Sequence, residues 1–254
     1  MAILEGKVAV ITGAGSGLGR EIALGMAREK AITVVAAHRE ENGRETAEII
    51  TREGYQSVCI TTDVENEISV QAMVQKVIEA YGRLDILVNN AGIIVRKSLL
   101  GHSLAEWEKV LRVNLTGTFL GAKYAAPQMI KQKKGKIINI ASISGLNGYV
   151  YPSYAASKAG IVNLTRGLAW ELGPHGINVN CICPGLVHTN LNQSLLDNQT
   201  LYQKVIEKIP QRRLGLPQEV ADTAIFLACD RSDYFNGAAL PLDGGCISYF
   251  NFFE

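Results

Sequence analysis

The chain has 254 residues, 47% of them apolar and 19% charged, with a net charge of +1. That length suits one large α/β domain or two small ones, and the composition excludes a disordered chain. The near-neutral balance gives no electrostatic footing for nucleic acid or an anionic membrane surface. No stretch reaches the ~18 uninterrupted apolar residues of a membrane span, and residues 1–7 lack the apolar core of a signal peptide. The five cysteines (Cys59, Cys181, Cys183, Cys229 and Cys246) are odd in number and scattered. No CxxC occurs, and Cys181 and Cys183 stand too close for a usual zinc pair. They read as reduced, buried thiols of a cytoplasmic chain, with no metal site.

Residues 8–11 form a short β-branched run, the pattern of a buried parallel strand. Thr12, Gly13, Ala14, Gly15, Ser16, Gly17, Leu18 and Gly19 follow, and then a helical stretch at 20–29. Strand, glycine turn and helix in this order open a dinucleotide-binding unit. The glycines let the backbone approach a pyrophosphate, and the helix N-terminus offers free N–H groups and partial positive charge. A second strand, 33–37, ends at His38 and Arg39. An acid here would hold the ribose 2′-OH of NAD. This chain instead offers Arg39, which can pair with a 2′-phosphate.

A helix at 43–53 and a strand at 57–61 lead to Asp63 and Val64. Asp63 lies just past a strand end, where it either accepts from an adenine amine or caps the next helix. That helix covers 70–81, and the strand 84–89 ends in Asn90, Ala91 and Gly92, small enough to leave room for a cofactor. Residues 107–131 read as one long helix with a possible break and with Pro127 near its end. Asn114 falls in its apolar middle, where a buried amide must find partners. The fifth strand, 137–141, has Ser142 at its tip. A helix at 154–172 and a strand at 177–183 reach Pro184 and Gly185. Residues 186–210 are polar and lack strand pattern, which suggests a substrate flap with one or two short helices. A helix at 219–228 and a strand at 239–242 close an alternating βα chain. The aromatic tail 247–254 is expected to be covered. The expected architecture is a single-domain α/β fold, a doubly wound parallel sheet of Rossmann type.

Tyr154 and Lys158 stand four residues apart, on one face of a helix. A phenol of reference pKa about 10 is a poor base at neutral pH. A neighbouring ammonium favours the phenolate, so the pair is a candidate proton donor and acceptor for a hydroxyl.

Taken together, Thr12-Gly13…Gly17-Leu18-Gly19, Asn89-Asn90-Ala91-Gly92, Asn114, Ser142, Tyr154…Lys158 and Pro184-Gly185 resemble the short-chain dehydrogenase/reductase family in its single-domain form. The resemblance implies Tyr154 as general acid/base and Lys158 as the residue that holds the nicotinamide ribose and lowers the Tyr154 pKa. It implies that Ser142 polarises the substrate oxygen and that Asn114 sustains a water relay. Gly13, Gly15, Ser16, Gly17, Leu18, Gly19, His38, Arg39, Asp63, Val64, Asn90, Ala91, Gly92, Tyr154, Lys158, Pro184, Gly185, Val187 and Thr189 would contact the cofactor. NADP(H) is favoured through Arg39 and NAD(H) is the alternative, since Ser16 stands where NADP-preferring members often carry a basic residue. Residues 89–97 and 209–217 look like those of the gluconate 5-dehydrogenase group. The expected reaction interconverts a secondary alcohol and a ketone of a small polyol, sugar acid or cyclic alcohol. Reduction of a 3-oxoacyl thioester is the alternative, and a non-catalytic cofactor-sensing protein the remote one. The family also implies a homotetramer, with the helices at 107–131 and 154–172 facing a second subunit.

Overall fold

Seven short strands pair in parallel: Val8–Thr12 (β1), Ile32–Ala37 (β2), Ser57–Thr61 (β3), Ile86–Asn89 (β4), Gly135–Ile140 (β5), Ile177–Pro184 (β6) and Ala239–Leu242 (β7). Their order across the sheet is β3-β2-β1-β4-β5-β6-β7. The computed structural model describes residues 2–248, apart from the Asn190 side chain. The tail from Tyr249 to Glu254, expected to be covered, lies outside the described residues.

Alternation along the strands builds two cores. Ala9 and Ile11 of β1 face one side and Val8 and Val10 the other. On the first side they meet Ile22 and Met26 of α1 (Gly17–Arg28) and Ala221 and Ala224 of α9 (Pro217–Ala228). On the second they meet Val70, Met73 and Val77 of α3 (Glu67–Tyr81) and Leu120 and Met129 of α5 (Gly117–Gln132). Between these lie α2 (Glu40–Arg52), α4 (Leu104–Leu111), α6 (Pro152–Leu172), α7 (Gln193–Leu196) and α8 (Gln199–Ile206). Both faces of the sheet are thus covered, as a parallel sheet requires. The strand order reverses between β1 and β4, which opens a crevice at their carboxyl ends.

Three expectations are sharpened. The possible break in residues 107–131 is a π-helical turn, Arg112–Thr116, that joins α4 to α5. The extra residue of that turn places Asn114 at full burial. Pro127 sits inside α5, which continues to Gln132. Asp63 caps no helix. Asn66 caps α3, its side chain accepting from the Ser69 N–H, while Asp63 Oδ1 accepts from the Glu65 N–H at 3.0 Å. The cysteines are free as expected, but only Cys181, Cys183 and Cys229 are buried; Cys59 and Cys246 are half-buried.

Candidate active site

The carboxyl ends of β1, β2 and β4 floor a cleft of about 950 Å³ that runs from Arg39 to Tyr154. Its first wall is the glycine turn. Asn90 Nδ2 donates to the Thr12 carbonyl at 2.9 Å, and the amides of Asn90 and Ala91 donate to Thr12 Oγ1 at 3.0 and 3.1 Å. These bonds lock the β4 loop against the β1 turn so closely that a Cβ on Gly13 would lie 2.8 Å from the Ala91 Cα. Gly19 likewise faces Asn90 Nδ2 and does not line the cleft: it is a packing glycine. Gly17, at φ +54° with open space around it, faces the cleft instead.

The start of α1 is chemically unfinished. Asn66, Ser103 and Asn198 each cap the helix they precede, but Ser16 accepts no hydrogen bond from the first turn of α1. The cleft therefore holds a helix N-terminus with no side-chain cap, bordered by glycine. A pyrophosphate fits that arrangement. His38, Arg39, Asp63 and Val64 line the far end, with His38 Nδ1 4.0 Å from Asp63 Oδ1. Arg39 is exposed and forms no ion pair among the described residues, whereas Arg44 one turn later pairs with Glu40 at 2.5 Å.

Tyr154 and Lys158 line the other end from the first turns of α6, with Lys158 Nζ 5.6 Å from the centre of the Tyr154 ring. Pro152 at the helix start fixes where that face begins. Lys158 Nζ donates to the Ile140 carbonyl at 2.7 Å. Burial pulls its pKa down to about 8, with the thiols of Cys183 and Cys181 acting in the opposite sense. Burial raises the Tyr154 phenol, and the Ser142 hydroxyl and the Arg96 charge pull it down without reversing the shift. Burial therefore outweighs the groups that would lower the phenol pKa. The ammonium is spent on a carbonyl, and the phenol is desolvated.

Asn114 lies behind the cleft rather than in it. Its Oδ1 accepts from the Ile93 amide at 2.8 Å, and its Nδ2 donates to the Ile93 carbonyl at 2.9 Å and to Ser157 Oγ at 3.0 Å. That clamp ties the β4 loop to α6. Asn89 braces the sheet, donating to Asn139 Oδ1 at 3.0 Å. Thr189 lines the cleft; Pro184, Gly185 and Val187 lie just outside it, on β6 and at the root of the flap. The flap carries a small apolar core of its own, with Leu195, Ile209 and Leu214 buried among Leu186, Tyr202 and Ile206.

One residue was missed from the sequence. Arg96 Nη2 donates to the Leu191 carbonyl of the flap at 2.7 Å, and its charge is felt by the phenols of both Tyr154 and Tyr149. Its signal was present: a cation just past the apolar run Ile93, Ile94, Val95, in the loop that follows β4.

A family model described as "Enoyl-(Acyl carrier protein) reductase", of the adh_short_C2 type, matches residues 13–247. The chain belongs to the short-chain dehydrogenase/reductase family. It is 41% identical over 247 residues to the 2-dehydro-3-deoxy-D-gluconate 5-dehydrogenase of Dickeya dadantii, covering 96% of this chain and 97% of that protein. It is 38% identical to the meso-2,3-butanediol dehydrogenase of Serratia marcescens, covering 96% of each. A gluconate 5-dehydrogenase structure from Burkholderia cenocepacia, in complex with NADP and tartrate, superposes with a TM-score of 0.93 at 35% identity over 97% of each chain. Like its family, the protein is an NAD(P)-dependent oxidoreductase that interconverts an alcohol and a ketone.

Proposed function

We propose that the protein is an NADP(H)-dependent dehydrogenase of a sugar acid or similar hydroxy acid, with Tyr154 as general acid/base. The observation that carries this reading is the meeting of Tyr154 and Lys158 at one end of a cleft, with the Ser142 hydroxyl beside the phenol, while the other end offers an uncapped α1 and an Arg39 that forms no ion pair among the described residues. When bound, the nicotinamide supplies or accepts the hydride at the carbinol carbon. The protein handles the accompanying proton. In reduction Tyr154 donates its phenol proton to the ketone oxygen; in oxidation its oxygen takes the hydroxyl proton. Ser142 donates to the same oxygen as charge grows on it. Lys158, released from Ile140, would hold ribose hydroxyls and bring its charge beside the phenol, which lowers the phenol pKa once the cofactor is in place.

Arg39 and the backbone of the α1 turn would hold the 2′-phosphate and the pyrophosphate. A charge-assisted hydrogen bond of this kind contributes roughly 1.5–3 kcal/mol, enough to set cofactor preference. Arg96 supplies the reason to favour an acidic substrate. It is a cation at the mouth of the site, held by a neutral carbonyl that a carboxylate would outcompete. The relative bound to NADP and tartrate, a hydroxy acid, supports both choices.

Initial rates of nicotinamide reduction test the proposal, using D-gluconate, meso-2,3-butanediol, cyclohexanol and a 3-hydroxyacyl thioester with each cofactor. Oxidation of the acid with NADP above the others is the expected result. A preference for the thioester or for NAD would replace this reading.

We further propose a homotetrameric protein of the cytoplasm. No described helix is long and apolar enough to cross a membrane. Trp170 of α6 is 88% exposed and Phe119 of α5 is 45% exposed, an apolar surface that a second subunit would cover.

A further inference from the structure

Ser142 is flanked by a second buried serine. Ser144 is 6% exposed and Ser142 9%. Ser144 Oγ lies 2.8 Å from Ser142 Oγ, and the Ser144 amide donates to the same oxygen at 3.2 Å. A hydroxyl has one hydrogen to donate and two lone pairs to accept with. Among the described residues the Ser144 hydroxyl has no partner except Ser142 Oγ. If Ser142 were the donor, the Ser144 hydrogen would be buried with no acceptor, the costly arrangement for a polar group. Ser144 is therefore the donor. Both lone pairs of Ser142 are then filled by Ser144, one by its N–H and one by its O–H. The only valence left on Ser142 is its own hydrogen, and its hydroxyl pulls the Tyr154 phenol pKa down, as a donor to the phenolate does.

We infer that Ser144 is a positioning residue that fixes Ser142 as a one-way donor towards the reacting oxygen. This deepens the reading of Tyr154 as general acid/base and rests on it. A free Ser142 hydroxyl could turn and accept the Tyr154 proton, which would occupy the acid and aim no donor at the substrate. Ser144 closes that alternative. It acts through Ser142 and touches neither substrate nor cofactor. In oxidation the same donor steadies the phenolate and so favours the base form of Tyr154.

Two measurements test the assignment. The first needs no substrate. The ionisation of Tyr154 is read from the ultraviolet absorbance of tyrosinate in the NADP-bound protein, as wild type minus Tyr154→Phe. Ser144→Ala should move the midpoint upward by about half a unit or more, because the phenolate loses a committed donor. Ser144→Thr, which keeps the hydroxyl, should restore it. An unmoved midpoint in Ser144→Ala, or a Thr variant no better than Ala, overturns the inference. The second is a double-mutant comparison of kcat on the best substrate of the panel. Ser144→Ala should lose about tenfold alone and nothing further in the Ser142→Ala background, since coupled residues are non-additive. Equal losses in both backgrounds would show that Ser144 acts by general packing, and would overturn it. A Tyr154→Phe variant that keeps full turnover instead removes the underlying reading, and the spectroscopic result stands apart from that outcome.

Discussion

The two ends of the cleft are built in opposite ways. The cofactor end is backbone and strand tips: Thr12, Asn90 and Ala91 are bonded to one another, and the walls rest on fully buried Val10, Ile11 and Val88. The substrate end is a flap with a separate small core, joined to the body by the Val187–Gly215 bridge and the Arg96 bond to Leu191. The first must hold the same dinucleotide in the same place at every turnover, so rigidity helps it. The second must admit substrate and release product, so loose attachment helps it. Tyr154 and Lys158 stand at the substrate end but on α6 of the rigid body, while Arg96 reaches across to the flap.

That division can be broken experimentally. The largest effect belongs to Tyr154→Phe, which should lose about 10²-fold or more in kcat on every substrate while NADP affinity stays near wild type; stopped-flow turnover and fluorescence titration check the two halves. Lys158→Ala should damage both turnover and affinity. Because burial holds its pKa to about 8, Lys158 carries its charge below that pH and loses it above. Cofactor binding that uses the ammonium should therefore weaken as pH rises through 8. The Ala variant should show no such limb in a calorimetric titration across pH. Arg39→Asp should shift the NADP to NAD preference by about tenfold or more, through one lost charge-assisted bond and one new repulsion. The ratio of kcat/KM values for the two cofactors reads this directly. The smallest effect on catalysis should come from Trp170→Glu, which alters the proposed subunit surface far from the cleft. Light scattering should show a lower mass with kcat changed by less than about threefold, since the residue is exposed and touches no part of the site.

The rigid end was also the legible one. A strand, a glycine turn and a helix follow each other within thirty residues, and the YxxxK pair lies on one helix face, so the chemistry was carried by the pair together with the motifs around it. What escaped the sequence depends on distant partners. Asn114 was visible as a buried amide, but its clamp on Ile93 and Ser157 requires the π-helical turn, which no local pattern announces. Asp63 left two roles open because Asn66, three residues on, was the better cap. Arg96 carried no local periodicity and takes its meaning from a flap nearly a hundred residues later. The pKa of Tyr154 could not be read from the four-residue spacing, because it depends on whether Lys158 faces the phenol or the Ile140 carbonyl.

The division of labour stands or falls on one comparison. Wild type, Tyr154→Phe and Arg96→Gln are assayed with NADP on D-gluconate and on meso-2,3-butanediol. Tyr154→Phe should lower kcat on both alcohols alike. Arg96→Gln should raise KM for gluconate by about tenfold, the loss of one charge-assisted contact, and leave butanediol within about twofold. If Arg96→Gln instead depressed kcat on both alcohols equally, Arg96 would belong to the chemistry and the two ends of the cleft would not be separate.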